Sequence, residues 1–236
     1  MRTDPPEGVL IDATPHGCPY LPGRTAVLPT RWYSQDIRPA DFDALLACAD
    51  RRVGRTLYRP ECPDCQECQG IRVHTHRLVQ TRSQRRAWRR NADVKITVGP
   101  PVVDKSRLDL FNRHKLERGL SQRRASADHY YSWLALSCVR TVETRYWLGE
   151  QLIGIGILDV GLRAASSVYF YFDPDHADRS LGTYSVLREA AWLRNRGVEL
   201  YYLGLYVRDC SHLSYKARFT PHERLIGGEW RGFDAS

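Results

Sequence analysis

Three cysteines stand two residues apart in one short segment, at Cys62, Cys65 and Cys68. Thiols at this spacing can close round one metal ion or cluster, and a remote fourth ligand completes such a site. Cys18 is the natural fourth ligand. The pattern predicts an iron–sulfur cluster or a zinc ion on these four thiols. The alternative is a tight turn that carries reduced thiols and no cofactor.

The densest run of charge lies at residues 82–91, where five arginines stand close together and no acidic residue interrupts them. On a helix, at about 100° per residue, these arginines fall on one arc. Guanidinium groups on one face repel each other, so the surface favours a polyanion such as nucleic acid over a merely solvated face. Ser83 is the expected N-cap. The predicted contact residues are Arg82, Ser83, Arg85, Arg86, Arg89, Arg90 and Asn91.

A strictly alternating strand ends at Asp173, immediately before Pro174. Val168, Phe170 and Phe172 are expected on one face, and Tyr169 and Tyr171 on the other. A carboxylate at the end of the polar face can orient or deprotonate an amine, and a turn-forming role before proline is the alternative.

The elements around this strand indicate how it is positioned. A helix from about Ser180 to Arg196, closed by Gly197, and a strand at 199–207 complete a βαβ unit. Helices are predicted at 40–51, 104–119 and 126–137, and strands at 70–76, 142–149 and 152–160. Glycines 154 and 156 predict a backbone that another group approaches closely.

This order is typical of an α/β (α+β) GNAT-type acyltransferase. We expect a GNAT-like domain at 81–236 behind a Cys-rich, Pro-rich subdomain at 1–80. Arg179 and Gly182 lie in the loop that would hold the acyl donor. Tyr184 follows where that loop usually has a small residue, and its ring would obstruct a coenzyme A pyrophosphate. An aminoacyl-tRNA, whose phosphates lie on the arginine helix, fits better.

Composition narrows the partners. The 236 residues carry a formal charge of +8, which suits a polyanionic ligand. No apolar run is long enough to span a bilayer, and the N-terminus lacks the apolar core of a secretory signal, so we expect a cytoplasmic protein with no membrane partner. Seven cysteines in such a chain do not indicate a disulfide framework.

Eight motifs in register, spread over nearly the whole chain, resemble the bacterial aminoacyl-tRNA–protein transferases of the N-degron pathway. These are the aspartate/glutamate leucyltransferases, relatives of the eukaryotic arginyl-tRNA–protein transferases. The motifs are Cys18-Pro19-Tyr20-Leu21-Pro22, Tyr58-Arg59-Pro60 with the three cysteines, Arg72-Val73, the arginine run, Tyr169 to Pro174, Arg179 to Gly182, Tyr202-Leu203-Gly204, and Cys210 with Tyr215-Lys216.

The resemblance implies that leucine passes from Leu-tRNA to the amino group of proteins beginning with Asp or Glu, which marks them for degradation. Asp173, Lys216, Tyr169 and Tyr171 are then the candidate catalytic residues. Lys216 could stabilise the oxyanion or hold the acceptor's acidic side chain. The alternatives are arginine transfer from Arg-tRNA, a small-molecule N-acetyltransferase, and a non-catalytic nucleic-acid-binding module.

Overall fold

The computed structural model describes residues 7–234, and Pro5 and Pro6 of the proline-rich lead-in lie outside them. No helix in this range is both long and apolar enough to cross a bilayer. The first elements are β1 (Val9–Asp12), β2 (His16–Gly17), β3 (Thr25–Ala26), β4 (Thr30–Trp32), α1 (Pro39–Ala47), β5 (Arg51–Val53), β6 (Thr56–Tyr58) and β7 (Gln69–His74). Strands β1, β4, β6 and β5 form a small antiparallel sheet in that order.

The remaining elements build the main sheet and its helices. They are α2 (Arg82–Arg90), β8 (Val94–Gly99), α3 (Lys105–Glu117), α4 (Ala127–Tyr130), β9 (Thr141–Leu148), β10 (Gln151–Val160), β11 (Ala164–Phe172), α5 (Leu181–Arg194), β12 (Leu200–Tyr206), α6 (Ser211–Ser214), β13 (His222–Ile226) and β14 (Glu229–Phe233). A π-helical turn extends α4, and short 3-10 turns precede α5 and follow α6. The eight-stranded sheet has the order β14-β13-β7-β12-β11-β10-β9-β8. This mixed arrangement confirms the predicted fold class.

Strands β11 and β12 are parallel, as the βαβ prediction required, but they pair over a short stretch only. Their register runs from Ala164 opposite Leu200 to Ser166 opposite Tyr202. Beyond that point β12 pairs only with β7, through a bulge before Gly204. The two strands therefore separate toward their carboxyl ends. We call the gap between Ser167 of β11 and Gly204 of β12 the wedge.

The two faces of the sheet carry different helices. On one face, Phe172 of β11 packs with Leu181 and Tyr184 of α5. On the other face, Tyr171 packs with Phe111 of α3. The alternation predicted for this strand is thus confirmed, with one exception. Val168 joins the α3 face instead of following its expected neighbours, because the β10–β11 register shifts at this residue.

Several local predictions differ from the structure. Helix α1 ends near residue 47 rather than 51, and the third predicted helix becomes α4 and its π-helical turn. Strand β8 and the strands of the small sheet were not predicted. Strand β7 lies inside the main sheet between β12 and β13. The segment before residue 80 therefore supplies a central strand, and the division at 80 stays an interpretation.

Candidate active site and nucleic-acid interface

Helix α2 presents its arginines to solvent. Arg82, Arg85, Arg86, Arg89 and Arg90 are all exposed, and within the described chain none of them forms a salt bridge. The opposite side of the helix buries Gln84 and Ala87. A helix face with five unneutralised guanidinium groups has the geometry expected for contacts with phosphates.

The N-terminus of α2 is fixed by a capping box. The Thr81 hydroxyl accepts from the Gln84 backbone N–H at 3.3 Å, and the Gln84 side-chain oxygen Oε1 accepts from the Thr81 backbone N–H at 2.9 Å. The prediction that Ser83 is the cap is therefore wrong, because Thr81 two residues earlier fills that position. Ser83 is exposed, and its hydroxyl is hydrogen-bonded to that of Thr81 at 3.1 Å.

The C-terminus of α2 is tied to the loop before α5. The Asn91 side-chain amide donates to the carbonyl oxygens of Ala87 and Arg179, each at 2.8 Å. Asn91 is fully buried, so it positions the helix rather than contacting a polyanion. The Arg90 side chain also donates to the carbonyl of Asp178. These bonds hold the arginine helix against the start of α5.

An open groove of about 200 Å³ lies between α2, the start of α5 and the segment after α6. Its walls include Arg86 and Arg90 from α2, Thr183 from α5, and Tyr215 and Arg218 from the last segment. Tyr215 precedes Lys216, whose side chain reaches the end of β12. Two consecutive residues therefore face the groove and the end of β12, respectively.

Lys216 is the titratable amine of the wedge. Its Nζ atom donates to the Leu205 carbonyl of β12 at 3.1 Å. Burial and, second to it, the charge of Arg51 lower the pKa of Lys216 to about 7, while Cys210 opposes the shift. At neutral pH a substantial fraction of such an amine is uncharged and can take up a proton.

Arg51 of β5 enters the same wedge, and no feature of the sequence singled it out. Its Nη2 atom donates to the Ser167 carbonyl at 3.3 Å. A Cβ atom at Gly204 would overlap the guanidinium, so the missing side chain there, at a φ of +96°, leaves room for it. The Nη1 atom is buried and has no hydrogen-bond partner.

Asp173 is buried at the end of β11, where other groups occupy its carboxylate. Arg113 of α3 contacts it at 3.0 Å, the Gln151 amide donates to it at 3.2 Å, and the Asp175 N–H donates to it at 3.1 Å. These contacts fit the turn-forming alternative, because the carboxylate oxygens are already engaged by groups of the fold. Its catalytic role stays a prediction.

The two tyrosines predicted to line a substrate channel lie on the α3 face. Tyr171 is fully buried, and its hydroxyl is bonded to that of Tyr130 at 2.6 Å. Tyr169 is partly exposed, stacks near Trp133 with ring centroids 5.0 Å apart, and has its pKa raised to about 12 by burial. Tyr171 thus belongs to the core, whereas Tyr169 keeps some accessible surface.

In the predicted donor loop, Arg179 already has a partner within the fold, whereas Gly182 has open space beside it. Arg179 forms an ion pair with Asp93 at 2.9 Å, and Gly182 has open space where a Cβ would stand. The expectation that Tyr184 blocks the loop is wrong, because its ring is buried against Trp88 and Tyr146 in the core. The Ser180 backbone adopts a left-handed conformation at the start of α5.

The four predicted thiol ligands are neighbours. Burial and, second to it, the proximity of Cys18, Cys62 and Cys65 raise the pKa of Cys68 to about 12. Backbone N–H groups of Leu21 and Val27 point at the sulfur atoms of Cys18 and Cys62, each at 3.4 Å. Such contacts suit thiolate ligands. Yet within residues 7–234 no three side chains stand in a ready metal-binding arrangement, so the cofactor stays a prediction.

The fold agrees with the predicted GNAT-like architecture. Among solved structures, the C-terminal domain of a lysylphosphatidylglycerol synthetase from Agrobacterium fabrum is similar in fold, with a TM-score of 0.52 and 13% identity over 71% of this chain. The alignment covers 59% of that chain. At this low sequence identity the likeness extends to the fold alone.

Sequence comparison gives the family. The family models described as arginine-tRNA-protein transferase, N terminus and C terminus, match residues 16–86 and 106–226. Curated relatives named aspartate/glutamate leucyltransferase include those of Aeromonas hydrophila, 34% identical with 95% of both chains covered, and Acinetobacter baumannii, 32% identical over 100% of this chain and 90% of the relative. A third, from Halorhodospira halophila, is 35% identical over 92% of this chain and 93% of the relative. The chain belongs to the arginine-tRNA-protein transferase family, and it is an aminoacyltransferase.

Proposed function

We propose that the protein transfers leucine from Leu-tRNA to the α-amino group of proteins that begin with Asp or Glu, which marks them for N-degron degradation. The observation that carries this proposal is the placement of two consecutive residues, one facing the arginine groove and the other the end of β12. We infer that a tRNA acceptor end bound on α2 directs its ester toward Lys216, since Tyr215 lines the groove and Lys216 reaches the end of β12.

The reaction forms one amide bond and breaks one ester bond. The acceptor's amino nitrogen attacks the leucyl carbonyl carbon, and the ribose oxygen of the tRNA leaves and takes up a proton. An α-amino group has an ordinary pKa near 8, so Lys216, with a pKa of about 7, can accept its proton at little cost. We assign Lys216 as that proton acceptor.

The group transferred is leucine, and arginine is the second candidate. The full-length curated relatives are named leucyltransferases, which favours leucine. The descriptions of the two family models name arginine.

A transfer assay separates the candidates: labelled Leu-tRNA and Arg-tRNA are each supplied with peptides that begin with Asp, Glu, Arg or Lys. We expect labelled leucine on the Asp and Glu peptides, and transfer of arginine alone would contradict the assignment. Acetyl-CoA serves as the control donor for a small-molecule acetyltransferase.

The arginine helix is proposed to bind the tRNA phosphates. Replacing Arg85 and Arg89 by Ala should remove two phosphate contacts, so the salt slope of tRNA binding should become shallower by about 2. Filter binding across a salt series measures this slope. Arg194→Ala is the matched control, because Arg194 is exposed at the far end of α5. An unchanged slope in the double variant would mean that the tRNA phosphates do not contact this helix.

We also propose that Cys18, Cys62, Cys65 and Cys68 hold an iron–sulfur cluster or a zinc ion. A bound metal would favour the thiolate form of these residues and cross-link the segment at 62–68 to Cys18. Metal analysis of the purified protein, against a variant with Cys62 and Cys65 changed to Ser, tests this. A metal-free wild type prepared under reducing, anaerobic conditions would refute it.

A further inference from the structure

The wedge contains an arginine without an acidic partner. Arg51 takes part in no salt bridge among residues 7–234, and the adjacent carboxylate, Asp50, is bound by Arg31 at 2.5 Å and by Arg59 at 3.6 Å. A guanidinium withdrawn from water without a counter-charge is unfavourable, so such groups usually belong to a site whose ligand supplies the anion.

The surroundings of Arg51 limit the size and shape of that ligand. One side of the guanidinium lies against the backbone at Gly204, and another is bonded to the Ser167 carbonyl. The side chain is only partly exposed. Arg51 lies between two neighbouring strands, whereas the arginines of α2 lie open to solvent and suit a bulky phosphate backbone. A planar guanidinium fork matches a carboxylate.

From this geometry we propose that Arg51 recognises the side-chain carboxylate of the acceptor's first residue, Asp or Glu, and so determines acceptor specificity. This proposal rests on the proposed function, since it names the group that reads the acceptor in that reaction. Lys216 stands beside Arg51, close enough for the two charges to affect each other. One acceptor residue could therefore place its amine at Lys216 and its carboxylate at Arg51.

The test compares Arg51→Gln with the wild type on two peptides that differ only in their first residue, Asp or Asn. These residues have the same shape, but only Asp carries the charge. Loss of the guanidinium should lower kcat/KM for the Asp peptide about 100-fold, because a carboxylate would enter a confined site without its partner. The value for the Asn peptide should change little, so the preference for Asp should collapse.

Arg163→Gln is the matched control. Arg163 is exposed, pairs with Glu199 at 2.6 Å, and precedes β11 at the end opposite the wedge. It should leave both peptides unaffected. Melting curves of each variant verify folding, and Arg51→Lys, which keeps the charge without the fork, provides a second substitution. Arg51→Lys should retain part of the preference for Asp.

Two outcomes of the kinetic comparison, and one of the binding measurement, would overturn the proposal. An equal loss on both peptides would show that Arg51 acts on the reaction itself, and weakened Leu-tRNA binding with an intact Asp preference would place it on the nucleic acid. Calorimetric binding of both peptides without tRNA separates this proposal from the transfer reaction. If the wild type transferred nothing but bound the Asp peptide more tightly than the Asn peptide, and Arg51→Gln abolished that difference, Arg51 would keep its assignment and only the function would fail. Equal binding of the two peptides to the wild type would end the proposal.

Discussion

Two consecutive arginines of β5, Arg51 and Arg52, differ in how many partners their guanidinium groups find within the fold. Arg52 is fully buried and donates to the Asp159 carboxylate at 2.7 Å and to the Leu136 carbonyl at 2.9 Å, with Gly54 and Leu134 supplying further carbonyl oxygens. Arg51, on the other side of the strand, has one long bond to Ser167 and a buried nitrogen without a partner. The same residue type on the same strand is fully satisfied in one case and left incomplete in the other.

The difference separates a structural charge from a functional one. Arg52 finds its counter-charge within the fold and joins the small sheet to β10, which carries Asp159. Arg51 extends from the same small sheet into the wedge of the main sheet, where its counter-charge would arrive with a substrate. The small sheet is thus held to the main sheet by Arg52, and it contributes Arg51 to the wedge.

The largest effect is expected when the satisfied arginine is removed. Arg52→Ala leaves Asp159 buried without its partner and should lower the free energy of unfolding by about 4 kcal/mol. Urea denaturation followed by circular dichroism measures this change. A loss below about 1 kcal/mol would mean that the pair is not the anchor, since removal of one partner of a buried pair usually costs far more.

A double variant controls for volume and charge together. Arg52→Met combined with Asp159→Leu removes both charges and keeps much of the packing, so it should recover a large part of the stability. Thr141, whose hydroxyl donates to Asp159 at 2.6 Å, would lose its partner in this variant. Recovery should therefore be incomplete.

The next largest effect is expected on kcat when Lys216, which shares the wedge with Arg51, is replaced. As proton acceptor, Lys216 must be neutral, so kcat should rise with pH through about 7 and be lost below it. Lys216→Met should lower kcat about 100-fold and remove this step from the pH profile. Single-turnover transfer between pH 5.5 and 8.5 measures it. Lys216→Arg keeps a permanent positive charge, and activity in that variant would show that Lys216 stabilises charge rather than accepting a proton.

The substitution Lys216→Met should also change how the free energy of unfolding depends on pH. The pKa of Lys216 is about 7 in the folded protein against an ordinary value of 10.5. Between these values the folded state binds fewer protons than the unfolded chain, so this residue makes stability rise with pH across that window. The wild type should therefore lose stability relative to Lys216→Met as the pH falls from about 10 to about 7.

Sequence patterns predicted the elements that depend on local periodicity. The β11–α5–β12 unit and the arginine face of α2 follow from spacing alone, and Gly156 was correctly expected to meet a close neighbour. That neighbour is Glu189, which accepts from Tyr201 at 2.5 Å and from Thr144 at 2.9 Å and whose pKa burial raises to about 7.

What could not be predicted depends on contacts between distant segments. Nothing local distinguishes Arg51 from Arg52, because their roles are set by Gly204 and Asp159, which lie more than a hundred residues away in the sequence. The side of the strand that Val168 occupies depends on a register shift against β10. Asp173 had the residue type of a base, but only the fold shows that Arg113 already binds it.

The smallest expected effect is also the one that tests the comparison most directly. Arg51→Met removes a partly buried cation without breaking any ion pair within the described chain, so the free energy of unfolding should stay the same or rise by about 1 kcal/mol. Urea denaturation of this variant beside Arg52→Met measures the contrast. The two substitutions are chemically identical and one residue apart, yet only Arg52→Met should destabilise the protein. Equal destabilisation would mean that Arg51, like Arg52, is satisfied within the fold and does not await a ligand.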